Sequence, residues 1–352
     1  MHLNFCPRCG VPLRWQGKPV HVGPEDLRGR GVWRYQPFLP DVEPVSLGEG
    51  GTPLLPAPSK SVGARIFWKL EFLNPTGSFK DRGASVMVSA LRAFGAMHVA
   101  DDSSGNAGAA LAAYAAQAGL RAHLFVPAYA SGPKVRQIAA YGAELHRVPG
   151  PRAAATAAVQ RACADNPHLI YASHNSSPYF ISGIMTLAFE IAEELGWRSP
   201  DHVVVPVGGG GLLLGLFYGF ALLAELGWVE KLPKIHAAQA AACAPIVRAL
   251  AEGLSEPKEV EPGETIAEGA RIPKPERGKE IIMALRVVEG SGVMVEEEEI
   301  QRAQSELAKQ GLYVEPTAAL APAALPKLVA HGTIKPNEVV VIPLTGFGLK
   351  TS

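Results

Sequence analysis

Short apolar runs alternate with longer helical patterns along most of this chain, and that alternation constrains its fold more than any other feature. The strand-like runs include Ile66–Leu70, His98–Ala100, Ala122–Val126, Leu169–Tyr171, His202–Val207 and Val339–Pro343. Between them lie Ala-rich or amphipathic stretches such as Asn106–Ala118, Pro133–Tyr141, Ala153–Ala164 and Tyr179–Leu195. Alternation of this kind means βαβ units, and so an α/β protein with mostly parallel sheets covered by helices. Such sheets bind ligands at the carboxyl ends of their strands, in the loops that open the next helix. Those loops are where the unusual sequence lies.

At roughly 100–200 residues per domain, 352 residues imply two domains. Lys+Arg and Asp+Glu are equal at 33 each, so the formal net charge is zero, with no general pull on nucleic acid or anionic lipid. The four cysteines, Cys6, Cys9, Cys163 and Cys243, are too sparse for a disulfide scaffold and fit a reducing compartment. The opening Met1-His2-Leu3-Asn4-Phe5-Cys6 lacks the pattern of a signal peptide, and no run of about 20 apolar residues reads as a membrane span. The expectation is a cytoplasmic protein with no nucleic-acid or membrane partner. The first 50 residues, rich in Pro, Gly and Arg, read as an arm around a folded body, and Glu252–Lys279 reads as a long surface loop.

Four segments carry candidate chemistry. Asn74-Pro75-Thr76-Gly77-Ser78-Phe79-Lys80-Asp81-Arg82-Gly83 follows a strand; Pro75 and Gly77 mark a turn, and Ser78 is placed to cap the next helix. Lys80 then falls in the first helical turn, where the dipole disfavours an ammonium and favours a neutral amine or imine. Ser103-Ser104-Gly105-Asn106 also opens a helix after a strand, and its N–H and hydroxyl groups suit a carboxylate. Gly208-Gly209-Gly210-Gly211 lies between a strand and an apolar helix, where the backbone can cradle a phosphate; it matches neither GxGxxG nor a P-loop. Thr345, after the last strand, presents a hydroxyl at a strand end.

With these segments the chain resembles the threonine synthase branch of the fold-type II pyridoxal-5'-phosphate enzymes, from about Ser46 to Lys350. The ten residues Asn74–Gly83 match that family's lysine motif without a gap. The resemblance implies that Lys80 carries the cofactor as a Schiff base and acts as acid–base once displaced. It places Phe79 beside the cofactor, Asn106 on its 3'-oxygen, Gly208, Gly209, Gly210 and Gly211 on its phosphate and Thr345 at its pyridine nitrogen. Ser78, Ser103, Ser104, Gly105 and Asn106 are implied to hold the substrate. Glu315-Pro316-Thr317 resembles the family's turn near the cofactor. The implied organisation is an arm at residues 1–50, a large cofactor domain at 51–88 and 183–352, and a small mobile domain at 89–182. A homodimer acting on a small amino-acid substrate is also implied.

Two stretches depart from the threonine synthase pattern. The usual Asn-Pro-Tyr-Arg and Gly-Gln-Lys-Thr are here Ser177-Pro178-Tyr179-Phe180 and Gly183-Ile184-Met185-Thr186, so Phe180 and Met185 replace two cations expected to grip a phosphate. Lys134 and Arg136 are nearby candidates to compensate. The four-glycine loop and Thr265-Ile266-Ala267-Glu268-Gly269 resemble serine/threonine ammonia-lyases instead. Three functions stay open: conversion of O-phosphohomoserine and water to threonine and phosphate, β-elimination on serine or threonine, and a non-catalytic sensing role on the same scaffold. Lys69 is the alternative attachment point for the cofactor. Cys6-Pro7-Arg8-Cys9 is half of a zinc knuckle; His2 and His21 complete a set only by chance geometry, so no metal is expected there. His174 reads as structural.

Overall fold

The structure, a computed structural model, describes residues 4–17, 21–58 and 63–351. His2 lies outside these. The strands are β1 (Leu54–Pro56), β2 (Arg65–Lys69), β3 (His98–Asp101), β4 (Arg121–Pro127), β5 (Glu144–Val148), β6 (Leu169–Tyr171), β7 (His202–Pro206), β8 (Lys234–Ala240), β9 (Ser291–Val295) and β10 (Val339–Pro343). The α-helices are α1 (Lys80–Ala93), α2 (Asn106–Ala118), α3 (Pro133–Ala140), α4 (Arg152–Asp165), α5 (Pro178–Glu194), α6 (Gly211–Glu225), α7 (Pro245–Ala251), α8 (Gly278–Val287), α9 (Glu297–Lys309) and α10 (Pro316–Ala330). Two sheets result, ordered β1-β2-β10-β7-β8-β9 and β5-β4-β3-β6. Among these strands only the β1–β2 pairing is antiparallel; every other one is parallel.

The chain divides into two compact units. One holds the described residues through Gly51, then Asn74–Ile184, and the last residues from Lys350. The other holds Thr52–Leu73 and Met185–Leu349. This differs from the expected division, because the lysine turn and α1 go with the four-stranded sheet. The reason is packing: α1 is buried from Asp81 through Leu91 and lies along α2. The N-terminal arm covers it further. Ser85 Oγ donates to Val45 O (2.7 Å), and Ser89 Oγ accepts from the Val45 N–H (2.8 Å).

In the second unit the apolar faces of β7, β8 and β10 meet α10; Val204, Ala238, Leu320, Val340 and Ile342 are fully buried there. Lys69, at the end of β2, is fully buried as well. Its Nζ bonds Thr52 O and Glu194 Oε2, both at 2.5 Å, and pairs with Glu190 Oε2 at 3.0 Å. A buried ammonium committed to two carboxylates and a carbonyl is a structural element, which removes Lys69 as an attachment point. The segment Glu252–Lys279 is not wholly a surface loop, since Ala267, Ala270 and Arg277 are buried and α8 begins at Gly278. Among the described residues no helix is long and apolar enough to cross a membrane.

Candidate active site

Lys80 is the first residue of α1. The turn before it is set by Gly77, whose φ of +85° a side chain would strain, and by the Gly77 N–H bonding Asn74 O at 2.8 Å. Ser78 does not cap the helix: its hydroxyl is buried without a hydrogen-bond partner, and Phe79 occupies the cap position. Asp81 ties the turn down instead. Its carboxylate accepts from the Thr76 N–H (2.7 Å) and Thr76 Oγ1 (2.5 Å). Burial pushes Asp81 up to about 7, against those two bonds and the charge of Lys350. Lys350 Nζ in turn donates to Thr76 O at 2.6 Å.

The Lys80 amine lies 4.5 Å from the Phe79 ring centroid and 5.7 Å from that of Phe180, within the roughly 6 Å over which ring faces attract a cation. Phe180 comes from α5 and is buried. It is held against α1 at Gly83, where a Cβ would meet the ring at 2.7 Å. Phe180, at the position where the resemblance implies an arginine, therefore faces the lysine itself.

At the end of β3, Asp101, Asp102 and Ser103 are buried, and Ser104, Gly105 and Asn106 lead into α2. Gly108 lets the loop close, since a Cβ there would sit 2.0 Å from Ser103 O. Asp102 accepts from Thr156 Oγ1 (2.5 Å) and Tyr171 OH (3.1 Å). Asp101 Oδ2 lies 3.2 Å from His174 Nδ1, while Oδ1 is buried with no partner. Burial pushes Asp101 up to about 6; hydrogen bonds from Asp102 and the charges of Arg152 and Lys80 oppose it. His174 packs edge-on to Phe180, with centroids 6.0 Å apart. The Asp101–His174 pair was missed in sequence. Its one signal was two acids closing an otherwise apolar strand.

In the second unit β7 and β10 are neighbours, so Gly208–Gly211 and Thr345 share the carboxyl edge of one sheet. Gly210 has φ +85°. A Cβ on Gly208 would lie 2.9 Å from Gly269 O, whereas one on Gly211 meets nothing within 4 Å. Gly269 is fixed by its N–H bonding Thr317 Oγ1 at 3.1 Å, so the Thr265–Gly269 run and Glu315-Pro316-Thr317 together floor the glycine loop. Thr345 is buried, and its hydroxyl has no hydrogen-bond partner.

The model of the pyridoxal-phosphate dependent enzyme family matches residues 45–346. A threonine synthase of Methanosarcina acetivorans is 39% identical over 99% of this chain and 88% of its own length. The chain belongs to the threonine synthase family of pyridoxal-phosphate dependent enzymes. A threonine synthase of Methanocaldococcus jannaschii is 38% identical, with 94% of this chain and 83% of that protein covered. Among solved structures, a T.th. threonine deaminase superposes with a TM-score of 0.68 at 28% identity, covering 81% of this chain and 88% of that one.

The threonine synthase family's cofactor fits the residues present. An amine stands at a helix start between aromatic rings, a glycine loop leads into the 15-residue α6 with open space at Gly211, and the Thr345 hydroxyl is buried and orphaned. Each is the kind of group that cofactor takes: the first unit offers a partner for its aldehyde, the second offers partners for its phosphate and ring nitrogen.

Proposed function

We propose that this chain converts O-phosphohomoserine and water to threonine and phosphate. The observation that carries this reading is the 39% identity to a threonine synthase across 99% of the chain; the Asn74–Gly83 run supports it by its resemblance to the family's lysine motif. Pyridoxal phosphate, when bound, supplies the electron sink for charge developing on the amino acid. Lys80 attaches it and afterwards moves protons at Cα and Cβ of the substrate. Ser78, Ser103, Ser104 and Gly105 orient the substrate carboxylate, and Asn106 donates to the cofactor's 3'-oxygen. Gly208–Gly211 hold the cofactor phosphate. Thr345 meets the ring nitrogen with a neutral hydroxyl, which does not force its protonation. The reading carries with it a cytoplasmic homodimer without nucleic acid; the zero net charge supports the last point, and sedimentation tests the dimer.

A second reading, β-elimination on serine or threonine, is favoured by Phe180 and Met185, both apolar and buried. Charge-assisted hydrogen bonds to phosphate are about twice as strong as neutral ones, and neither residue makes any. Supplying each substrate and measuring phosphate against 2-oxo acid separates the readings; oxo acid without phosphate overturns the first. Phe180→Arg with Met185→Lys is expected to raise use of O-phosphohomoserine relative to serine or threonine. An unchanged ratio in the folded double variant means that these positions do not read the phosphate.

A further inference from the structure

Three histidines stand in a row across the four-stranded sheet. His98 Nδ1 on β3 faces His123 Nε2 on β4 at 3.0 Å, and His123 Nδ1 faces His146 Nε2 on β5 at 3.2 Å. The carboxylate of Glu144 closes on the second junction, with Oε2 3.3 Å from His123 Nδ1 and Oε1 3.4 Å from His146 Nε2. We propose that His123, Glu144 and His146 bind a divalent transition-metal ion of the zinc class, which clips the edge strand β5 to β4.

The geometry of this junction carries the inference. His123 Nδ1, His146 Nε2 and the Glu144 carboxylate converge with separations of 3.2, 3.3 and 3.4 Å, so all three residues reach one point. Neutral imidazole nitrogens and an ionised carboxylate are the ligands such an ion takes.

The spacing suits such an ion. Bonds of about 2.0–2.1 Å in tetrahedral geometry set ligand atoms about 3.3 Å apart. The ion would sit off the line between the nitrogens, on the carboxylate side. His98 Nδ1, 3.0 Å from His123 Nε2, is placed to accept a hydrogen from it in the tautomer that leaves His123 Nδ1 bare to ligate. Phe125 stacks on the His146 ring, with centroids 4.4 Å apart, and holds its plane.

The six-stranded sheet provides the contrast. There His236 Nδ1 lies 2.7 Å from Ser291 Oγ, His236 Nε2 lies 2.9 Å from His202 Nδ1, and His202 Nε2 lies 2.9 Å from Glu338 Oε2. The atoms of that row pair off end to end and do not converge on one point, so it offers an ion no site.

The test uses chelator-treated holoenzyme carrying Cys6→Ser and Cys9→Ser, which removes the thiols of the N-terminal turn. Zinc chloride is titrated by calorimetry, and cobalt(II) is followed by its visible d–d absorption. The expected result is one equivalent bound and a raised melting temperature. Loss of outer-shell partners alone weakens sites roughly 10–100-fold, so Glu144→Gln and His146→Gln should each weaken binding by more than about tenfold and abolish the melting shift. Glu144 is exposed, so its variant tests binding without threatening the fold. Absence of saturable binding, or binding that survives both substitutions, overturns the proposal and leaves a hydrogen-bonded row only.

Discussion

Lys80 occupies a helix start that disfavours an ammonium, between two ring faces that favour one. Lys80→Ala should abolish the imine absorbance and the borohydride-trapped adduct. Turnover should fall beyond the roughly 10²–10⁴ of a single acid–base group, with the circular dichroism spectrum unchanged. Asp101 makes a separate prediction. Its carboxyl is raised from 3.8 to about 6, so between those values the folded chain keeps a proton that the unfolded chain has released. Stability from this group is fully present below about 4 and is lost as pH rises to about 6. The effect is on the order of 3 kcal/mol. Asp101→Asn should therefore gain stability over the native chain as pH rises through that window. Urea midpoints of the two proteins at several pH values check the sign.

At the scale of elements, α1 and α5 touch where neither has a side chain to spare. A Cβ on Gly183 would lie 2.2 Å from Arg82 O and 2.9 Å from Gly83 Cα, both backbone atoms. Gly183→Ala must push the helices apart, at an expected cost of about 1–3 kcal/mol, and should displace Lys80. Calorimetric unfolding and the cofactor absorbance would read both effects. Most of this frame was legible in sequence. β6, α2 and β10 begin and end where their patterns do, and the glycine loop and lysine turn fall at strand–helix junctions as expected. What was not legible has physical causes. β8, Lys-Ile-His-Ala-Ala-Gln-Ala, is too rich in alanine to read as a strand, and only burial between β7 and β9 makes it one. β5 is a half-exposed edge strand, with the charged Glu144 and Arg147 breaking any period-two alternation. Asp101 with His174 and Lys80 with Phe180 are contacts between distant segments, which no local pattern encodes.

For the molecule as a whole, cofactor loading should act as a stabiliser by mass action. Free pyridoxal phosphate at a hundred times its dissociation constant contributes about 2.7 kcal/mol. Protein stripped with hydroxylamine should melt lower than the holoenzyme and recover when pyridoxal phosphate is restored. Gly210→Ala tests the phosphate cradle within this effect. Its φ of +85° suits glycine, and a Cβ would meet Ile281 at 2.1 Å. Recovery should be blunted in that variant at cofactor concentrations that suffice for the native chain. Equal recovery would place the phosphate elsewhere.

The two helix-crossing glycines also differ in what their replacement depends on. Gly183 abuts main chain, which no substitution elsewhere can trim. Gly83 abuts the ring of Phe180 at 2.7 Å, and a ring can be exchanged for something smaller. Alanine at 83 is therefore admissible only after position 180 has shrunk, while a bulky aromatic at 180 is admissible only where 83 is still glycine. Changes at these two sites have a permitted order, and a lineage that acquired Phe180 closed the route to any larger residue at 83 until that aromatic is given up.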